Sequence, residues 1–181
     1  MGESAYGVYR TKLELLLQIP ILATDQQIHH AIETGFPASI VQTLYDLDSL
    51  DSRSRGLILP LETRRSRLAR GQRLTVAESD HLFRVGHILA TTAALFGRNY
   101  DKSERWLKKS QVRLTEKCPL ALLSTTVGTS MVEELLTQAA EGLISGRSIA
   151  LYPDDWQLMC VLDLKSTEKR PSPAIFGQSY P

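Results

Sequence analysis

The sequence has few of the groups that carry catalysis or hold metals. Only two cysteines, Cys118 and Cys160, occur in 181 residues, and both are remote from every histidine. That rules out zinc-ligand spacing. Two cysteines in a chain of this size are as compatible with a reducing cytosol as with a disulfide. The histidines, His29, His30, His81 and His87, include no i,i+4 pair of the kind a helical zinc site uses. No glycine motif that cradles phosphate occurs, and no G-x-S-x-G elbow. The acidic pairs Asp154–Asp155 and Glu133–Glu134 are adjacent, and adjacent residues on a helix do not face each other. Cys118 precedes Pro119 at an expected helix start, a setting that favours a thiolate, so an enzyme using it is a distant rival reading. No apolar run approaches the roughly 18 residues of a membrane span, and no signal-peptide pattern opens the chain. These absences predict a cytoplasmic non-enzyme with no metal, no cofactor and no membrane partner.

What is present is ordinary in bulk and uneven in detail. Apolar residues make up 43% and charged residues 23%, enough for a hydrophobic core. The net charge of +1 implies no partner. The distribution does: from Arg53 to Arg73 there are seven arginines and one acid, Glu62. A solvated helix face usually mixes signs through i,i+4 pairs, whereas a one-signed patch is the usual footprint of a phosphate partner. On a helix from 60 to 70, Leu61 and Leu68 share one face. Thr63, Arg67 and Arg70, with Arg64 or Ser66, then project the other way. Guanidinium groups pair with guanine edges and phosphates, and hydroxyls serve phosphates as well. Thr63, Arg64, Ser66, Arg67, Arg70 and the following Arg73 are therefore candidate DNA contacts. A protein-only adaptor, with these arginines set against an acidic partner, is the rival.

The chain reads as all-α. Residues 1–23 hold an apolar run broken by Pro20, which either packs on the body or serves as a docking arm. Thr24 or Asp25 caps a helix that ends at Gly35, and Pro37 opens the next through Leu47. Pro60 opens the arginine helix and Gly71 closes it. This run of short helices is the rhythm of a helix-turn-helix module. Thr75 with Glu78 forms a capping box for a long helix to Phe96, apolar nearly all round in its second half and therefore central. Asp101 or Ser103 starts a shorter helix around Trp106 and Leu107. A loop follows from Ser110 to Lys117, then a short helix opening at Pro119. A last helix from Thr125 or Thr126 carries Val127, Met131, Val132, Leu135, Leu136 and Ala139. Residues 148–181 have aromatic and apolar residues without helical order and read as an irregular tail.

Five segments in order carry a resemblance: RLTVAESDHLFRV (73–85), ALFG (94–97), RWL (105–107), PLALL (119–123) and the spaced Gly128, Val132, Leu135, Leu136 and Gly142. Together they resemble the toxin-binding domain of Xre/MbcA/ParS-type antitoxins, and the preceding residues resemble that family's Xre-like helix-turn-helix. The resemblance implies a helix-turn-helix module (24–72) and a helical toxin-binding bundle (73–147); the composition of the flanking segments adds an N-terminal arm (1–23) and a C-terminal extension (148–181), about which the resemblance says little. It implies a cytoplasmic antitoxin that covers the active site of a RES-domain, NAD-degrading toxin. With the toxin it would repress its own operon by binding operator DNA, as a homodimer within a larger complex. Glu133, Gln138 and Glu141 on the last helix, with Trp156 and Phe176 of the extension, are the expected toxin contacts. The alternative is a helix-turn-helix regulator without a toxin, its C-terminal domain serving dimerisation.

Overall fold

A computed structural model describes residues 4–47, 55–56 and 60–140. Among these residues there are eight α-helices and no strands: α1 (Ala5–Leu17), α2 (Asp25–Thr34), α3 (Ser39–Leu47), α4 (Leu61–Ala69), α5 (Val76–Leu95), α6 (Tyr100–Lys108), α7 (Pro119–Leu122) and α8 (Thr126–Ala140). A 3-10 turn, Val112–Leu114, lies between α6 and α7. The all-α reading holds.

α5 is the axis of the fold, as its apolar second half implies. Its start is fixed by a complete capping box: the Thr75 hydroxyl accepts from the Glu78 N–H, and the Glu78 carboxylate accepts from the Thr75 N–H at 2.7 Å. Its end is a Schellman turn. Gly97 takes a left-handed conformation, and the N–H groups of Gly97 and Arg98 return to the carbonyls of Ala94 and Ala93. Between these stops Leu82, Val85, Ile88, Leu89, Ala90 and Ala93 are buried.

From Ser4 onward the N-terminal segment packs on the body rather than standing apart as an arm. Ser4 caps α1, which packs most closely on α5 and also meets α3. Close approach is possible because Gly86 of α5 has no side chain; a Cβ there would lie 2.8 Å from Leu17 Cδ1. Leu13, Leu16 and Leu17 of α1 are fully buried, each worth about 1.5–3 kcal/mol. One apolar cluster joins them to Ile40, Val41 and Leu44 of α3, Trp106 of α6 and Leu136 of α8.

The chain crosses back at Gly35. Its positive φ of 82° suits glycine, and a Cβ would lie 2.1 Å from the Leu74 carbonyl oxygen. Leu74 N–H donates to Phe36 O at 2.8 Å, and Phe36 N–H donates to Ser79 Oγ at 2.9 Å. These bonds tie the end of α2 to the segment leading from α4 into α5.

Two local expectations change. α6 begins at Tyr100 and not at Asp101 or Ser103; its cap is Asn99, whose side chain accepts from Lys102 N–H at 3.0 Å, while Ser103 is buried and bonds back to Thr92 O. Asparagine caps as well as aspartate, so the nearer of the two won. The Ser110–Lys117 loop is also more ordered than expected, with a 3-10 turn closed by the Gln111–Lys117 bridge.

Candidate functional site

α4 carries the arginine cluster. Pro60 precedes it without a side-chain cap, and a Schellman turn ends it, with left-handed Gly71 and bonds from Gly71 and Gln72 N–H to the carbonyls of Leu68 and Arg67. Of the two leucines expected to share a face, the Leu61 side chain lies outside the described residues. Leu68 is 42% exposed. Arg67 turns toward the body instead: half-buried, it places Nη2 3.4 Å from the Glu78 carboxylate at the start of α5. Glu78 is the partner that holds Arg67 there. Burial would raise its carboxyl, but hydrogen bonds from Thr75 and the Arg67 guanidinium outweigh that and hold it below the ordinary carboxylate range.

The remaining candidates divide. Ser66 and Arg70 are exposed and Thr63 is half-buried. Arg65, exposed beside them, pairs loosely with Glu62 at 3.6 Å. Arg73 is exposed and donates from Nε to Gly35 O at 2.7 Å, so its backbone anchor lies in the α2–α3 corner. The Arg64 side chain lies outside the described residues, as does Arg53. Arg65, Ser66 and Arg70 thus form the outward basic face, with Arg67 as the strut behind it.

α8 carries the second candidate surface. The corner between α7 and α8 is tight: a Cβ on Gly128 would lie 2.1 Å from the Leu122 carbonyl oxygen. Thr125 closes the corner by accepting from the Gly128 N–H at 3.0 Å. Thr129, Val132, Leu135, Leu136 and Ala139 are buried against the body. At 100° per residue the opposite side holds Val127, Ser130, Met131, Glu134 and Thr137, all exposed, with half-buried Gln138 along the same edge. Val127 is 73% exposed. Arg84 of α5 braces the helix start, bonding Thr126 Oγ1 and Asp80, both at 2.8 Å.

Glu133 lies on the flank of α8 rather than in that outward row. Its carboxylate is 3.8 Å from His87 Nε2 of α5, and the other ring nitrogen of His87 is 2.9 Å from the Tyr9 hydroxyl of α1. Phe83 stacks on the same imidazole. Burial lowers the His87 value below its ordinary 6.5, against the opposing effect of Glu133, and burial raises the Tyr9 phenol. Near neutrality this Tyr9–His87–Glu133 chain is therefore uncharged at its centre. It joins three helices that are remote in sequence, and no local pattern announces it. Gln138 bonds to Glu134 at 3.0 Å. Glu141, Trp156 and Phe176 lie outside the described residues.

No group of three or more histidine, cysteine or acidic side chains placed to hold a metal occurs among the described residues. Cys118 is half-buried at the start of the four-residue α7. No described helix is long and apolar enough to cross a membrane.

Comparison with known proteins bears on the α8 surface directly. Residues 92–142 match the family described as "Antitoxin Xre/MbcA/ParS C-terminal toxin-binding domain". That span runs from the last turn of α5 through α6 and α7 and includes all of α8. The protein named "Antitoxin Xre" from Pseudomonas putida (strain KT2440) is 44% identical over 142 residues, which cover 78% of this chain and 89% of that protein.

Proposed function

Since this chain belongs to the Xre-type antitoxin family, we propose that it neutralises a RES-domain toxin that degrades NAD⁺, by seating the outer face of α8 over the entrance to that enzyme's active site. The observation that carries the reading is the outward row of Val127, Met131, Glu134 and Gln138, set on a helix whose opposite side is buried. Exposed valine and methionine at the start of the row supply apolar contact, and methionine is favoured at interfaces. Glu134 supplies negative charge toward a cleft that must be basic to hold a dinucleotide. Glu133, Glu141, Trp156 and Phe176 widen this interface in the same proposal. The inhibition is steric, so the chain contributes no catalytic group and no cofactor.

The second half of the proposal concerns DNA. The outward Arg65, Ser66 and Arg70 of α4, with Thr63, Arg64 and Arg73 around them, contact operator phosphates and base edges, and the complex represses its own operon in the cytoplasm. The net +6 of residues 53–73 in a chain of net +1 is what supports it.

Co-expression with the RES-domain product of the neighbouring gene tests the first half, read as growth, cellular NAD⁺ and co-purification. Rescue of growth and NAD⁺ with a stable complex is expected. Operator retention without rescue or complex would refute the toxin reading in favour of a plain regulator whose C-terminal half serves dimerisation.

A further inference from the structure

A stable protein–protein interface takes about 800 Å² of surface from each partner. The outer face of a 15-residue helix such as α8 supplies only part of that, so a partner seated there reaches onto neighbouring surface. On the Glu133 flank of α8 that surface is aromatic. A ladder of rings crosses from α1 to α8 over α5. Tyr6 of α1 is 65% exposed, and its ring centroid lies 6.3 Å from that of Tyr9. Tyr9 meets His87 of α5 edge-on at 5.4 Å, and Phe83, one turn earlier, stacks on the same imidazole at 6.3 Å. His87 in turn faces Glu133 across 3.8 Å. Tyr9, Phe83, His87 and Glu133 are all half-buried, packed on the body yet accessible. Apart from Glu133, every member of this ridge lies outside the matched residues 92–142.

The ridge suits a basic protein partner in two respects. The first is charge. Arg84, three residues before His87, is paired with Asp80 at 2.8 Å, whereas the 3.8 Å from Glu133 to the imidazole exceeds hydrogen-bond length. A carboxylate only accepts, so it favours the imidazole proton on Nε2, and Nδ1 then accepts from the Tyr9 hydroxyl at 2.9 Å. The neutral ring orients the carboxylate and leaves it its full negative charge. The second is order. The rings brace one another through edge-on and stacked contacts, so docking on them costs little ordering entropy. Tyrosine is also among the side chains that carry most of the binding energy at interfaces.

We propose that the toxin's footprint crosses from α8 onto this ridge, so that Tyr6 of α1 packs against the toxin and Glu133 pairs with a basic side chain at the rim of its cleft. The proposal rests on the toxin reading above and adds to it a contact from the first helix of the chain.

The experiment is the affinity of the purified full chain for the RES-domain product of the neighbouring gene. Circular dichroism checks folding, and sedimentation equilibrium gives the oligomeric state of the free chain. Tyr6→Ala removes an exposed ring and is expected to weaken binding about tenfold at unchanged helicity, the scale of an interface tyrosine. Glu133→Gln keeps the shape of the side chain. It is expected to weaken binding by a similar factor and to flatten its salt dependence, which lost packing alone would not do. Leu15→Ala, exposed on the opposite side of α1 at 100° per residue, should stay within about twofold of the wild type. Wild-type binding by Tyr6→Ala and Glu133→Gln, with weak binding by Val127→Lys with Met131→Lys, would end the footprint on α8; the ridge proposal falls and the toxin reading stands. A wild type that does not bind the toxin overturns both. A changed oligomeric state of free Tyr6→Ala would assign the ridge to a second copy and overturn the proposal, as would equal losses in Tyr6→Ala and Leu15→Ala.

Discussion

Replacing Gly128 by alanine separates two opposed physical effects. Gly128 lies in the first turn of α8, and intrinsic helix propensity alone predicts that Gly→Ala stabilises by up to about 1 kcal/mol. The packing predicts the reverse. The new methyl carbon would stand 2.1 Å from the Leu122 carbonyl oxygen, 2.9 Å from Thr125 Oγ1 and 3.0 Å from the Leu122 carbonyl carbon. Ordinary contacts begin near 3.5 Å, so the closest one falls short by roughly 1 Å or more. Two of these three atoms are backbone, so no rotamer change relieves the clash and the α7–α8 corner must open. Overpacking of this kind costs about 1–3 kcal/mol. At roughly 2–4 °C per kcal/mol for a chain of this size, the expected loss in Tm is several degrees. The same opening shifts Val127, the preceding residue, so toxin affinity should fall along with stability. Urea denaturation of the two chains measures the first effect. A Gly128→Ala variant as stable as the wild type, or more stable, would refute the steric account of the corner and with it the claim that this glycine sets the position of α8.

Three further outcomes are expected. His87 has a folded value below its ordinary 6.5, so in the window just below 6.5 the unfolded chain binds more protons, and stability falls as pH drops through it. His87→Gln should flatten that part of the pH–stability curve; an unchanged slope would contradict the burial of the ring. Glu78 lies below its ordinary 4.5, so its contribution is present above that pH and is lost as pH falls through the folded value. Glu78→Gln should therefore be less stable than the wild type at neutral pH and approach it in stability at strongly acid pH, as denaturation at the two pH values would show. Arg65→Ala and Arg70→Ala should each lower the salt slope of operator binding by about one unit, because each removes a phosphate contact; slopes equal to that of the wild type would place the DNA contact elsewhere.

Elements with local punctuation were legible from sequence. The Thr75–Glu78 box and the Gly97 stop delimit α5 within one residue of its observed ends, and Thr24 and Gly35 do the same for α2. These signals act over three or four residues, so they can be read without the fold. The position of α1 was not legible, because it depends on a missing side chain at Gly86, far along the chain from Leu17. The facing of α4 was misread for a related reason. The spacing projects Arg67 outward, but it is half-buried and pairs with Glu78 across to α5, while Leu68 is exposed. On α8 the spacing of Val132, Leu135 and Leu136 did mark the buried side. Glu133 and Glu134 could not be ranked from it. Only the position of His87 on α5 shows that Glu133 is engaged at the flank while Glu134 faces outward.

The most direct test of the account is the affinity of the purified chain for its toxin when the outer face of α8 is changed. Val127→Lys with Met131→Lys alters two exposed side chains, sets positive charge against the basic cleft and should leave the fold intact. If this face covers the toxin, affinity should fall by at least about a hundredfold, the scale of losing two central apolar contacts. Leu68→Asp, a change at an exposed position on α4, should leave affinity within about threefold of the wild type. Equal affinities for all three chains would contradict the account.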